Sequence, residues 1–358
     1  MIYHWLYPLR NSIKFLGLLK YITFRAGLAL TFSIVVTFLL IPLYLKFARY
    51  RERISEYVPE SHRKKEGTPS AGGLVFIPVA LFSTLLFSKF TSPYIFVAIT
   101  ATLVMFLIGV IDDLKKLKGQ KKGGLTKWEK LFLQFLLSIF VVLSIKLSYP
   151  EEIAFRTQFL FFKNINLYLG YFYIILVIIA FLGFTNAVNL TDGLDGLAAG
   201  SAIPPILFIL LLSYFQGNKI LSTYLHLFYL PGIEELSILA ASFVGSLIGF
   251  LWYNSYPAQL FMGDTGSQSI GGVIAISSIL LKQEILIAVA GGLFFIEALS
   301  VLIQVIYFRL TGGKRIFKMA PLHHHFEKSG MHEAKITTRF WIISLIFSLI
   351  ALGMVKIK

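Results

Sequence analysis

Ten apolar stretches, near residues 26–45, 72–88, 93–111, 131–147, 170–188, 197–215, 236–253, 266–281, 284–308 and 337–355, alternate with polar connections along the chain. Most approach the roughly 20 residues that a helix needs to cross hydrocarbon. Without water, each segment must satisfy its own backbone hydrogen bonds, so the pattern predicts spanning helices; the ten-residue alternation of barrel strands is not seen. The stretch 266–281 is short and opens amid Gly and Ser, which predicts a helix whose start is enclosed by protein or faces a cavity. Residues 220–235 are too short and interrupted to span, and Tyr224, Phe228 and Tyr229 suit the outer interface. Residues 1–25 mix Arg10, Lys14, Lys20 and Arg25 with Ile, Leu and Phe, lack a small-residue cleavage site, and are read as an interfacial helix rather than a cleaved signal peptide. The expected fold is an all-α polytopic membrane protein of about ten transmembrane helices, with one domain over residues 1–358.

Composition supports this picture: 56% of the 358 residues are hydrophobic and only 14% charged, with a mean hydropathy of +0.76. The absence of cysteine excludes disulfides and thiolate chemistry. A net charge of +15 would suit nucleic acid, but its distribution argues for a membrane instead. Connection 46–67 holds Lys46, Arg49, Arg51, Arg53, Arg63, Lys64 and Lys65. Connection 112–130 holds Lys115, Lys116, Lys118, Lys121, Lys122, Lys127 and Lys130, and connection 309–335 adds Arg309, Lys314, Arg315, Lys318, Lys328 and Lys335. In a ten-helix topology these three share one side, which the excess of Lys and Arg makes cytoplasmic. The other side carries little more than Lys89, Lys146, Arg156, Lys163, Lys219 and Lys282. The basic N-terminal segment dissents, since an even helix count puts it outside with the C-terminus.

Most of the residues able to do chemistry fall in the connections of the basic side, which predicts an active-site cleft there. Asp112-Asp113 closes the third stretch; adjacent helical residues point about 100° apart, so only one need face a cavity. Solvated charges at a helix end are the bland alternative. In the run from Asn186 to Leu197, Asn186, Asn189, Asp192 and Asp195 recur at threes, lining one face if helical. Such a face suits Mg²⁺ or a nucleotide, or else forms a structural polar knot. Asn254 and Asp264 occupy another connection of that side, with Asp264 placed just before the eighth helix, either capping it or binding metal. His323-His324-His325 sit among Arg309, Lys314, Arg315 and Lys318, a setting for phosphate and nucleotide contacts rather than a closed zinc site. Glu297, Ser300 and Gln304 form a polar stripe that should turn inward, joining helices or touching substrate. Together these groups fit a Mg²⁺-dependent phosphoryl transfer between a soluble and a lipidic substrate.

At three motifs, Asn186–Ala198, Phe261–Ser267 and Ala320–Glu327, the chain resembles the polyprenyl-phosphate N-acetylhexosamine-1-phosphate transferases, and the histidine run points to the branch that handles UDP-MurNAc-pentapeptide. The resemblance runs from about Tyr21 to the C-terminus; at Ser70-Ala71 the family commonly has Thr-Met, and Ser keeps the hydroxyl. It implies that undecaprenyl phosphate attacks the β-phosphate of UDP-MurNAc-pentapeptide, giving lipid I and UMP. It further implies Asp264 as Mg²⁺ ligand, Asp112 and Asp113 as the paired aspartates acting on the lipid phosphate, and His323 as catalytic. Lys65, Ser70, Lys116, Lys130, Asn189, Asp192, Asp195, Asn254, Gln304, His324 and His325 match substrate-binding positions. A homodimer in the bacterial cytoplasmic membrane, with no nucleic-acid partner, is implied in the same way. Direct attack and an aspartyl-phosphate intermediate both need a carboxylate near the metal; a charged phosphate needs little activation, which favours direct attack. The rivals are a homologue using UDP-GlcNAc and a cation-coupled transporter, whose polar groups would lie near the midplane.

Overall fold

The computed structural model describes residues 1–48, 65, 67–117, 124–158 and 166–356. Arg49, Arg51, Arg53, Arg63, Lys64, Lys118, Lys121, Lys122 and Lys163, invoked above for topology, lie outside the described residues. Ten helices coincide with the apolar stretches: α1 Ile22–Phe47, α2 Gly73–Phe87, α3 Pro93–Leu117, α4 Lys127–Ser148, α5 Phe172–Thr191, α6 Leu197–Gly217, α7 Leu236–Asn254, α8 Gly263–Leu280, α9 Gly292–Leu310 and α10 Glu333–Met354. Among the described residues eight are long and apolar enough to cross a membrane, so this is a multi-pass membrane protein. α2, with 15 residues, is too short to count. α8 has the length but not the apolarity, because Asp264, Thr265, Ser267, Gln268 and Ser269 fill its first turns.

The arrangement explains how so polar a helix is tolerated. α7 packs on α1, α2 and α6, while α8 packs on α3, α5 and α2. Every residue from Thr265 to Leu280 is buried, so α8 is solvated by protein and never meets lipid, as its Gly- and Ser-rich start predicts. α3 comes against it backbone to backbone: a β-carbon on Gly109 would stand 2.5 Å from Thr265 Cα. Such contacts between small residues let helix axes approach where lipid gives no hydrophobic drive.

Three expectations need correction. The span 284–308 is broken at Gly291 into Glu284–Ala290 and α9, so only α9 is long enough to cross. α1 begins at Ile22 and takes Arg25 out of the interfacial segment. Arg25 is buried, pairing with Glu235 at 2.8 and 2.7 Å and donating to Phe87 O, so its charge is neutralised inside the bundle. This removes Arg25 from the charges that dissent from the rule, while Arg10, Lys14 and Lys20 remain exposed. Before α1 the chain forms only a short helix, Ile2–Leu6, and two 3₁₀ turns, with Trp5 and Phe15 exposed as an interfacial segment requires. Finally, α5 stops at Thr191, so the run 186–195 is not one helical face: Asn186 is exposed and turns back onto Leu182 O.

The end opposite the candidate site is knotted by its own polar contacts. A two-stranded antiparallel hairpin, β1 Arg156–Gln158 with β2 Asn166–Tyr168, lies there beside the α8–α9 connection. Lys282 Nζ donates to Ala154 O (2.6 Å) and Tyr173 Oη (3.0 Å), and Glu284 accepts from Thr157 and Tyr173. Gln216 donates to Leu281 O and Lys356 to Tyr224 O, which puts the C-terminal end of α10 on this side with Arg25, as an even helix number demands.

Candidate active site

The local chain folds three carboxylates and two amines together where α3 ends, α4 begins and α8 begins. Thr126 caps α4 and forms a reciprocal capping box with Glu129, fixing where that helix starts. Lys130 therefore sits one turn in, with Nζ 2.8 Å from Asp264 Oδ2 and 3.0 Å from Asp112 Oδ2. Lys116, four residues beyond Asp112 on α3, puts Nζ 3.0 Å from both Asp112 Oδ2 and Asp264 Oδ1. Asp112 Oδ1 accepts the Leu125 N–H at 2.6 Å and so also anchors the entry to α4.

Both members of the Asp112-Asp113 pair point inward, although only one needed to. The end of α3 is enclosed on two sides, and each carboxylate finds different donors. Asp113 accepts from Asp264 N–H (3.2 Å), Thr265 N–H (3.0 Å) and the Thr265 hydroxyl (2.6 Å). These amides belong to the first turn of α8, whose N–H groups have no partner within the helix. Asp113 is thus a capping group supplied in trans. Asp264 lies inside the helix rather than before it and caps nothing through its side chain. Its carboxylate faces Lys116 and Lys130 and receives Gln268 Nε2 at 3.4 Å.

Ligand atoms of Asp112, Asp113 and Asp264 lie within 4.8 Å of one another, an all-oxygen set of the kind that hard divalent cations prefer. Asp112 Oδ2 is buried and faced at 3.0 Å by both lysines, so the carboxylates of the cluster already gather positive charge between them. The residues therefore fit a divalent ion.

A second group gathers beside Lys65. Its Nζ lies 2.6 Å from Asp195 Oδ1 and 2.5 Å from Glu333 Oε1, and 6.0 Å from the Phe261 ring centroid. Asp195 Oδ2 accepts Ala258 N–H, and Glu333 accepts Asp195 N–H, so the turn after α5 is clasped by α10 and by the 254–260 connection. Asn254 completes the clasp, accepting from Gly196 N–H and donating to Leu260 O. Asp192 ends α5 half-buried at the rim, and Asn189 one turn earlier donates to Ser267 of α8 at 3.0 Å.

The histidine run forms the short helix Leu322–Glu327. His323 is buried and meets Glu297 of α9, while His324 Nδ1 lies 3.1 Å from Glu327. His325 Nδ1 accepts Lys318 N–H. Gln304 uses both ends of its amide on Ile316 and Phe317, so it shapes the basic 311–318 connection. Ser70 is buried, with its carbonyl taken by the Tyr44 hydroxyl.

Comparison with known proteins agrees with this arrangement. Residues 95–282 match the family model described as glycosyl transferase family 4. Over 367 aligned positions and the full length of both chains, the protein is 45% identical to the phospho-N-acetylmuramoyl-pentapeptide-transferases of Rickettsia akari (strain Hartford) and Rickettsia prowazekii (strain Madrid E). The counterpart from Rickettsia bellii (strain OSU 85-389) is 45% identical over 362 positions, again at full coverage. The chain belongs to the phospho-N-acetylmuramoyl-pentapeptide-transferase family.

In this member of the transferase family, sequence reasoning passed over Glu333, Thr265 and Gln268. Glu333 opens α10 far along the chain from Lys65 and Asp195, and no spacing rule connects them. It fell in the polar connection 309–335, ahead of the tenth apolar stretch, where an acidic residue carries no signal. Thr265 stood inside the motif Phe261–Ser267, where only the aspartate drew notice, and Gln268 lies just past it.

Proposed function

We propose that this protein transfers phospho-MurNAc-pentapeptide from UDP-MurNAc-pentapeptide to undecaprenyl phosphate, releasing UMP and forming lipid I, at the cytoplasmic face of a bacterial membrane. The observation that carries the reading is the cluster of Asp112, Asp264, Lys116 and Lys130 at one end of the bundle, in a chain 45% identical over its full length to transferases of that name.

An oxygen of the lipid phosphate forms a bond to the β-phosphorus, and the bond from that phosphorus to the bridging oxygen breaks. UMP leaves with the electron pair. Two anions must meet, and fixed positive charge lowers that barrier most where water is scarce. Lys116 and Lys130 supply it from two helices, and the amide end of α8 adds its dipole. Asp264 and Asp112 would hold Mg²⁺, which when bound supplies further charge neutralisation to the diphosphate. Asp113 keeps α8 in register with α3, so that Asp264 stays opposite Asp112. Lys65, Asp192, Asp195 and Asn254 serve the nucleotide side, and His323, His324 and His325 the diphosphate and sugar-peptide side.

The gathering of these groups at one end, rather than midway, speaks against a transporter. The test is UMP release by purified protein with undecaprenyl phosphate and either UDP-MurNAc-pentapeptide or UDP-GlcNAc, with EDTA and with Mg²⁺ restored. Release with the first donor alone, lost in EDTA and recovered with Mg²⁺, is the expected result. Release with UDP-GlcNAc alone would move the chain to the other branch of the superfamily.

A further inference from the structure

The buried pair of Glu297 and His323 has a geometry that the reaction above does not use. Glu297 sits on α9 with no solvent exposure, and the polar stripe in the sequence does turn inward as expected. Its Oε1 accepts the backbone N–H of His323 at 3.2 Å, and its Oε2 lies 3.0 Å from Nδ1 of the same residue. A single carboxylate therefore holds both the main chain and the ring of one histidine. Apolar side chains seal the region: Leu194, Leu197, Leu293, Ile336 and Phe340 form a small core, with Leu322 and Phe326 packed on it.

The other ring nitrogen, Nε2, is buried and has no hydrogen-bond partner among the described residues. It is aimed at the turn that follows α5. A β-carbon on Gly193 would collide with Nε2 and would stand 3.0 Å from Cε1. Glycine at 193 thus lets the imidazole edge reach the backbone between Asp192 and Leu194, beside the Lys65–Asp195 clasp.

A carboxylate can only accept hydrogen bonds, whereas a neutral imidazole has one donor nitrogen and one acceptor nitrogen. The partner at Nδ1 therefore sets the state of Nε2. We infer that Glu297 is a positioning residue for His323: it holds the proton on Nδ1 and presents the Nε2 lone pair to the Asp192–Gly193 turn as the acceptor for a proton or donor group of the bound substrate. The logic is that of a carboxylate orienting a catalytic imidazole.

Glu297→Gln is a near-isosteric test with a defined outcome. The amide oxygen is required by the His323 N–H, so the amide NH₂ is left facing Nδ1. Nδ1 must then accept, and the proton moves to Nε2. In protein labelled with nitrogen-15 at histidine, at pH 8.5 in detergent, long-range proton–nitrogen correlations report which ring nitrogen is protonated. Of the seven histidines, His323 is assigned by the loss of its signals in His323→Asn. The wild type is expected to show a protonated Nδ1 and a bare Nε2, with the reverse in Glu297→Gln. A wild-type ring protonated at Nε2 overturns the assignment whether or not the variant folds.

In turnover, Glu297→Gln should lower kcat by about 100-fold, within the range for loss of a correctly poised acid–base group. KM for the nucleotide sugar should stay within about threefold. Glu297→Asp keeps an acceptor-only partner, preserves the tautomer and should lose less. The double variant with His323→Ala should be no slower than His323→Ala alone, since the two groups act as one unit. Additive losses, or full turnover by Glu297→Gln, refute the positioning role. The turnover arm rests on the proposed transfer reaction and the nitrogen shifts do not. An inactive wild type would remove that reaction while the spectra still decide the role of Glu297.

Discussion

The separate roles of the two adjacent aspartates make a sharp prediction at Asp113. In Asp113→Asn the side-chain carbonyl can occupy the place of Oδ2 and keep the Thr265 N–H (3.0 Å) and hydroxyl (2.6 Å). The amide NH₂ then stands where Oδ1 accepted Asp264 N–H at 3.2 Å, donor against donor. One hydrogen bond to a charged acceptor is lost and a buried amide is orphaned, together about 2–4 kcal/mol. For 358 residues the unfolding entropy is about 0.75 kcal/mol/K at roughly 2.1 cal/mol/K per residue, so the midpoint should fall by about 3–5 °C. In Asp112→Asn the carbonyl still accepts Leu125 N–H, and the partly exposed Lys116 and Lys130 keep Asp264 as partner. Asp112 is itself buried, and the amide NH₂ would replace the oxygen that faces both ammoniums, so this variant should lose stability as well. The assay is tryptophan-fluorescence melting of both variants in detergent with EDTA. Equal midpoints for Asp113→Asn and the wild type would refute the assignment of Asp113 as the cap of α8.

Three further outcomes are expected. Asp264→Asn should cut UMP release by at least about 100-fold, the scale for loss of an electrostatic stabiliser, with an unchanged elution profile on size exclusion; near-normal release would mean the metal is held elsewhere. Glu333→Gln keeps an acceptor oxygen for Lys65 and the Asp195 N–H but removes one of the two negative charges that hold Lys65, and should raise KM for the nucleotide sugar about tenfold, equivalent to about 1.4 kcal/mol. A lowered kcat at constant KM would take Lys65 and Asp195 off the nucleotide side. At the opposite end, burial lowers the Lys282 ammonium from 10.5 to about 7, with Glu284 opposing the shift. Between those values the unfolded lysine binds the proton and the folded one does not, so stability should rise with pH between about 7 and 10. The melting midpoint should follow this rise in the wild type, and the rise should be absent in Lys282→Met.

The all-α, multi-pass character was legible in the sequence because hydrocarbon imposes a length, although eight rather than ten helices among the described residues are long and apolar enough to cross. What could not be read was any feature set by a partner distant in the chain. Arg25 looked interfacial because Glu235, its neutralising partner, lies 210 residues away. That Asp113 reaches the first-turn amides of α8 had no local signal, because a cap supplied by another helix has no spacing in the sequence. The periodicity through Asn186, Asn189, Asp192 and Asp195 was real in the letters, but the chain leaves the helix at Thr191, and Gly196 at φ +71° turns it toward α6. Asp195 consequently meets Lys65 from a turn, which aims it at a different part of the site from Asn189.

The same reasoning ties the site to the least apolar span. Asp112, Asp113 and Asp264 converge only because α8 can lie against α3 with no side chain between them at Gly109. Asp113 is one helical turn beyond that glycine, so the distance fixed at Gly109 is the distance over which Asp113 reaches the α8 amides. A lipid-facing helix could not begin with Gly, Asp, Thr, Gly, Ser and Gln, since each unmet polar group in hydrocarbon costs several kcal/mol. Enclosure by α2, α3 and α5 removes that cost, with Asn189, Asp113 and Lys130 answering the polar groups of its first turns. The polar start of α8 and the burial of the whole helix are therefore one design. It places a carboxylate in the first turn of a buried helix, opposite two lysines.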